Sequence, residues 1–99
     1  MEGYLTKKPD PASGKKKWSQ YWFVLNQGRL SRYDLFDVDL AKPTDMRDAY
    51  DIANAIIKRE EVPHRRFCFS ITFADKQRVW ILEAAESKIG KGTQFSPFL

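Results

Sequence analysis

Two short runs of basic side chains have the clearest chemical potential in this sequence. They are Lys15–Lys17 and His64–Arg66. Lysine and arginine donate charge-assisted hydrogen bonds to phosphate and carboxylate groups, so a cluster of them can bind an anionic ligand. Three adjacent lysines repel one another and gain nothing from burial, so we expect them to project into water. The simpler alternative is that both runs only make the surface soluble.

Catalytic and metal-binding chemistry finds little support. His64 is the only histidine and Cys68 the only thiol, and a dyad needs a fold that brings the two side chains together. The sequence has no paired Cys/His metal spacing, no phosphate-binding glycine loop and no dinucleotide fingerprint. We therefore expect no enzyme activity, no cofactor and no metal site. Cys68 is interpreted as a small buried or half-buried hydrophobe and His64 as a turn residue.

Length and composition limit the class of protein. The 99 residues, 42% hydrophobic and 14% aromatic, suffice for one domain with one small core. No apolar run approaches the roughly 18 residues of a membrane-spanning helix, and the first residues have no signal-peptide pattern. A single cysteine cannot form an internal disulfide, which fits a reducing compartment. The sequence therefore predicts a cytoplasmic globular module.

Charge is divided unevenly along the chain, although the formal net charge is only +4. Residues 1–33 carry seven Lys/Arg against two Asp/Glu, residues 34–51 carry two against six, and residues 52–99 carry eight against five. This segregation predicts a polarised surface suited to an anionic membrane or to nucleic acid. The affinity of such a surface falls as salt rises.

The elements that must position the basic runs are β-strands. Alternating, aromatic and β-branched segments predict strands at residues 3–8, 18–25, 30–33, 67–73 and 79–85. Asn26–Gly28 has the chemistry of a tight turn, so the second and third strands form a hairpin. Two prolines and a glycine in residues 9–14 predict a loop that leads into the lysine run.

Several of these strands carry family motifs. The sequence opens with Gly3-Tyr4-Leu5 and Lys7, then reads Trp-x-x-x-Trp-Phe-Val-Leu and Leu-x-x-Tyr. Its back half reads Phe-x-Phe-x-Ile, a turn and Val-Trp-Ile-Leu-Glu-Ala-Ala-Glu. The pattern resembles a pleckstrin homology (PH) domain over residues 2–86. This resemblance implies a mainly β fold, a partly open barrel of about seven antiparallel strands in two packed sheets.

The middle of the chain is ambiguous. Residues 34–48 are acidic and turn-rich, which predicts a long surface loop. Across residues 45–57 apolar side chains recur at spacings of three and four, which favours an amphipathic helix. The resemblance instead favours two short strands, at residues 49–52 and 55–60, and we adopt the strands. A helix there would leave the functional prediction unchanged.

The resemblance also divides the chain into a PH-like domain (1–86) and an irregular tail (87–99). PH domains follow their seventh strand with a helix that covers one open end of the barrel and usually carries a tryptophan. Gly90, Gly92 and Pro97 disfavour a helix in this tail. We therefore expect the capping helix to be absent. The barrel end would then be covered by apolar tail side chains or by a second chain, giving a monomer or a weak dimer.

Candidate ligand-binding residues follow from the same resemblance. Lys7 matches the first-strand lysine of the usual phosphoinositide motif, but its Lys-x-Arg positions hold Ser19 and Tyr21, and its tyrosine position holds Arg32. Some PH domains use an atypical site between the first hairpin loop and the loop before the sixth strand. The candidates are therefore Lys7, Lys15, Lys16, Lys17, Arg32, Arg65 and Arg66.

We predict a non-catalytic membrane-targeting or adaptor module, peripheral at the inner face of membranes. It would bind anionic phosphoinositide headgroups weakly, through loop lysines rather than the usual pocket. The alternative is a protein-interaction module that holds a peptide or a small GTPase without lipid specificity. Binding of single-stranded nucleic acid is disfavoured because of the dense acidic segment and because the aromatic side chains look internal.

Overall fold

The computed structural model describes residues 1–75 and 77–84. Its seven strands are β1 (Glu2–Lys7), β2 (Ser19–Asn26), β3 (Arg29–Asp37), β4 (Lys42–Asp51), β5 (Ile56–Glu60), β6 (Cys68–Thr72) and β7 (Val79–Ala84). One turn of 3-10 helix, Pro11–Ser13, lies in the β1–β2 loop. In this described part, no helix is long and apolar enough to cross a bilayer. The predicted irregular tail and missing capping helix lie outside the described residues.

The strands form one antiparallel sheet in the order β4-β3-β2-β1-β7-β6-β5. The sheet curls so that both halves contribute to one core, in which the Phe23 and Trp80 ring centroids lie 6.3 Å apart. Tyr50 of β4 packs across this core, 5.3 Å from the rings of Phe73 and Trp80. The predicted mainly β fold of seven antiparallel strands is confirmed. The two packed sheets of the prediction are halves of one continuous sheet.

Alternation along the strands decides which side chains face the core. Leu5 and Lys7 of β1 are buried, whereas Tyr4 and Thr6 are only half-buried. Leu5, Phe23 and Leu82 are each under 2% exposed, and full burial of such a side chain stabilises a fold by about 1.5–3 kcal/mol. Because Lys7 shares the inward face with Leu5, its side chain points into the end of the barrel.

The β2–β3 turn matches the predicted hairpin. Gln27 and Gly28 have φ values of 52° and 76°, as in a two-residue type I′ turn. Apart from Gly28 itself and its two chain neighbours, no atom lies within 4 Å of the position of an added Gly28 Cβ. Backbone conformation rather than crowding therefore favours glycine here. β2 begins at Ser19, one residue later than predicted.

The predicted surface loop at residues 34–48 is wrong. β3 continues to Asp37 and β4 begins at Lys42, so only residues 38–41 form a turn. Acidic composition was misleading here because the carboxylates have partners within the hairpin. Asp34 and Asp48 each form an ion pair with an arginine of the opposite strand.

The strands predicted after that segment are confirmed, and the helix alternative at residues 45–57 is excluded. β4 is longer than predicted, because its pairing with β3 begins near the 38–41 turn. The Asp37 carboxylate stabilises this turn by accepting hydrogen bonds from the backbone N–H groups of Asp39 and Leu40, at 2.9 and 3.0 Å. The hairpin is thus stabilised by ladder pairing and by its own acidic side chains.

Candidate functional site

A cavity lies at the end of the sheet where β1 ends and β2 begins. Its volume is about 110 Å³, well below the roughly 300–1,000 Å³ of pockets that enclose small molecules. It therefore suits a phosphate-sized group of a ligand whose remainder stays at the surface. Six basic side chains contribute to its lining: Lys7, Lys8, Lys15, Lys17, Arg32 and Arg47.

Lys7 is the most buried of these cations, at 4% exposure. Its Nζ donates hydrogen bonds to Asp10 Oδ1 at 2.9 Å and to the Lys8 carbonyl at 3.2 Å. The 3-10 turn positions Asp10, whose carbonyl accepts hydrogen bonds from the N–H and hydroxyl of Ser13. The ammonium also lies 5.1 Å from the ring centre of Trp80. These partners compensate for the burial of a charged group.

Arg32 is paired with Asp48, its direct cross-strand neighbour on β4. Two parallel hydrogen bonds join them, Nε to Oδ1 at 3.0 Å and Nη2 to Oδ2 at 2.5 Å. The guanidinium lies 4.7 Å from the ring centre of Tyr21 and 5.1 Å from that of Trp80. A guanidinium can donate the same pair of parallel hydrogen bonds to a phosphate, so a ligand would compete with the Asp48 carboxylate for Arg32.

Arg47 is a cavity residue that sequence reasoning missed. The β3–β4 register shifts after Arg32, which leaves Arg47 as the extra residue of a β-bulge. Its guanidinium forms an ion pair with Asp34 and lies 5.4 Å from the Tyr21 ring centre. The hydrogen bond and charge of Asp34 raise the pKa of Arg47 above its usual value. Sequence reasoning also did not identify Lys8, next to Lys7, as a cavity residue.

The lysine loop, defined as residues 15–17, supplies charges of a different kind. Lys15 and Lys17 line the cavity, Lys16 is exposed beside them, and all three project into water as predicted. Within residues 1–75 and 77–84, none of the three forms an ion pair. The structure thus brings loop lysines together with Lys7 and Arg32, so the loop and the usual pocket adjoin each other.

The predicted residues Arg65 and Arg66 lie in a second cavity of mixed charge. Arg65 donates a hydrogen bond to Glu83 Oε1 at 2.7 Å, and its guanidinium carbon is 3.8 Å from the ring centre of Trp18. The Arg66 backbone N–H donates to Glu83 Oε2 at 3.1 Å. The two loops of the atypical site therefore meet at Trp18, the neighbour of Lys17. Their basic residues nevertheless line separate cavities.

His64 and Cys68 lie in different environments, one exposed and the other buried. His64 is exposed in a turn with φ 65°, and Cys68 is buried with its Sγ 3.8 Å from the Arg66 carbonyl oxygen. Burial, aided by the Glu83 carboxylate, raises the pKa of the Cys68 thiol, which disfavours the reactive thiolate form. Among the residues that the structure describes, no cluster of His, Cys, Asp or Glu is placed to hold a metal ion.

Comparison with known protein families gives a match over most of the chain. The profile of the PH domain matches residues 1–89. The chain belongs to the PH domain family. PH domains are modules that bind lipids or proteins, and the fold is generally non-catalytic. A search of curated proteins finds no match.

Solved PH domains share the fold. The C-terminal PH domain of pleckstrin, in complex with D-myo-Ins(1,2,3,4,5)P5, is 24% identical with a TM-score of 0.64, covering 87% of this chain and 80% of that one. The PH domain of human oxysterol binding protein-related protein 11 is 26% identical with a TM-score of 0.63, covering 89% and 68%. A chain from the SifA and SKIP crystal structure is 21% identical with a TM-score of 0.64, covering 87% and 82%.

Proposed function

We propose that this PH domain is a non-catalytic membrane-recruitment module. It binds phosphoinositide headgroups weakly at the cavity beside the lysine loop, and it acts in the cytoplasm, peripheral at the inner face of membranes. The single observation that carries this proposal is the convergence of Lys15 and Lys17 with Lys7 and Arg32 on one phosphate-sized cavity.

Electrostatics favour a weak and salt-sensitive interaction. Three of the lining cations already have carboxylate partners, namely Lys7, Arg32 and Arg47. Lys8, Lys15 and Lys17 form no ion pair within the described residues. Each basic residue near an anionic membrane contributes about 1 kcal/mol, so these three contribute about 3 kcal/mol. Exposed charges of this kind are screened by salt.

The ligand class has support from one relative. The C-terminal PH domain of pleckstrin was solved with an inositol pentakisphosphate, which carries several phosphates on one ring. A headgroup of that kind suits this cavity, since one phosphate would enter it while others contact the exposed lysine loop. Ser19 and Tyr21 replace the charged side chains of the usual motif, which favours weak binding.

Liposome co-sedimentation tests the proposal. Phosphatidylcholine vesicles with and without phosphatidylinositol bisphosphate are compared at low and high salt. The wild type should bind only the vesicles that contain phosphatidylinositol bisphosphate, and it should bind them more weakly at high salt. The double variant Lys15→Ala/Lys17→Ala should lose about 30-fold in affinity, equivalent to about 2 kcal/mol, with unchanged thermal stability.

A matched control removes the same charge elsewhere. Arg29 and Lys58 are exposed and do not line the cavity, so Arg29→Ala/Lys58→Ala should retain most of the affinity. Equal binding to both vesicle types, or equal losses in the two double variants, would contradict a headgroup site at the cavity.

A second candidate is protein binding at a sheet edge. Among the described strands β5 ends the sheet order, and its Ile56 and Ile57 are 54% and 37% exposed. An open edge can accept an extended peptide as an added strand, and a small GTPase could present such a strand. Chemical-shift changes confined to residues 56–60 when a partner is added would favour this function over lipid binding.

A further inference from the structure

The β5–β6 connection, residues 61–67, is joined to β7 by hydrogen bonds, two of which are accepted by the Glu83 carboxylate. Glu83 accepts the Arg65 guanidinium on one oxygen and the Arg66 backbone N–H on the other. The Ala84 backbone N–H donates to the Phe67 carbonyl at 3.1 Å, which fixes the end of the same segment. With both Glu83 oxygens engaged, Arg65 has a defined position on the sheet surface.

Trp18 extends this contact to the lysine loop. It lies between Lys17 and the first residue of β2, and its ring is covered by the Arg65 guanidinium at 3.8 Å. The Arg65 and Glu83 side chains are 30% and 22% exposed, so the contact is partly shielded from water. A planar guanidinium stacked on an aromatic ring while paired with a carboxylate is a geometry that lysine cannot reproduce.

We propose that Trp18, Arg65 and Glu83 form a clamp that positions the lysine loop for an anionic headgroup. In this assignment Arg65 and Trp18 are positioning residues and do not contact the lipid. The inference rests on the proposed function. Its physical basis is preorganisation: a loop ordered before binding loses less conformational entropy when the ligand arrives.

The role of Glu83 distinguishes this clamp from simple charge attraction. Removing a carboxylate from a surface that binds anions raises affinity if only the net charge matters. If Glu83 acts through the clamp, its removal frees Arg65 and lowers affinity. The two accounts therefore predict opposite signs for Glu83→Gln, which changes the charge and preserves the shape.

The first experiment measures vesicle affinity for Glu83→Gln and for Glu61→Gln. Glu61 is exposed on the same connection and is not part of the clamp, so its variant is the matched control for charge. We expect Glu83→Gln to weaken binding about fivefold, on the scale of one charge-assisted contact, and Glu61→Gln to leave it unchanged or stronger. An increase for Glu83→Gln overturns the clamp.

The second experiment separates positioning from direct lipid contact. Trp18→Ala should weaken vesicle binding about fivefold to tenfold, on the scale of a partly shielded cation–π contact, whereas Trp18→Phe should restore most of it. Arg65→Lys retains the charge but loses the flat stacking surface, so it should resemble Trp18→Ala. Full affinity in Arg65→Lys would show that the stacked guanidinium is not required and would overturn the positioning role of Arg65.

A third measurement does not depend on lipid binding. Backbone ¹⁵N relaxation of residues 15–17 should report greater mobility in Trp18→Ala and Glu83→Gln than in the wild type, with β-sheet amides unchanged. Unchanged loop mobility overturns the clamp itself, and increased mobility with unchanged affinity overturns its positioning role. If the wild type binds no vesicles, the proposed function fails, and the relaxation result still decides whether the clamp orders the loop.

Discussion

The basic residues of the cavity that lie on strands differ in ion pairing and exposure from those in the β1–β2 loop. Lys7, Arg32 and Arg47 lie on strands, and each is paired with an aspartate. Lys15 and Lys17 lie in the loop, remain exposed and form no ion pair within the described residues. The paired basic residues on the strands therefore mainly stabilise the fold, and the loop lysines remain available to a ligand.

This difference teaches that a count of basic residues overstates the charge that a site offers. A paired cation must exchange its carboxylate for the ligand, so much of the attraction between cation and phosphate is offset. An unpaired loop lysine exchanges only water, although holding its flexible side chain costs entropy. Substitutions that separate stability from affinity can break or sharpen the comparison.

The largest expected effect is on stability, from Asp48→Ala. Arg32 and Asp48 are only 15% and 21% exposed, so the substitution leaves a largely buried guanidinium without its partner. Losing one partner costs about 3–5 kcal/mol for a buried pair and at most about 1 kcal/mol for an exposed one, so we expect a loss of about 2–3 kcal/mol. Urea denaturation measures this change in unfolding free energy.

The exposed pair on the same hairpin provides the control for that measurement. Arg47 and Asp34 are 46% and 37% exposed, so Asp34→Ala should cost less than about 1 kcal/mol. Equal losses of stability in Asp34→Ala and Asp48→Ala would show that burial does not distinguish the two pairs.

An intermediate effect is expected at Lys7, whose methylene stem is buried with the core. Lys7→Ala removes that packing and should lower the unfolding free energy by about 1–2 kcal/mol. Lys7→Met keeps the stem and should retain most of the stability. Both variants should lose less vesicle affinity than Lys15→Ala/Lys17→Ala. A larger affinity loss in Lys7→Met would reverse the comparison between strand and loop cations.

The smallest effect is a gain of affinity in Asp34→Asn. The substitution removes a carboxylate from beside the cavity and frees the Arg47 guanidinium for a phosphate. We expect vesicle affinity to rise about twofold to threefold, less than one full basic contact of about 1 kcal/mol would give. Asp39→Asn at the β3–β4 turn makes the same change of charge away from the cavity lining, and an equal gain there would indicate a general charge effect.

Much of the fold, and part of the site, could be predicted from local sequence. Because successive side chains of a strand point to opposite faces, the sequence places Leu5 with Lys7 on one face of β1 and Trp80 with Leu82 on one face of β7, and Gly28 indicated the hairpin turn. The lysine loop was also predictable, because adjacent lysines cannot be buried. Arg47 could not be found in this way, since its place in the cavity depends on a bulge in the β3–β4 ladder.

The sequence by itself determined the strand faces, the tight turn and the exposure of the lysine loop, because these depend on neighbouring residues. Only the tertiary structure decided which charges are paired. Asp34–Arg47, Arg32–Asp48 and Arg65–Glu83 join residues 13, 16 and 18 positions apart. Such contacts depend on strand register and on how the sheet curls, so composition alone cannot distinguish a basic residue that stabilises the fold from one available to a ligand.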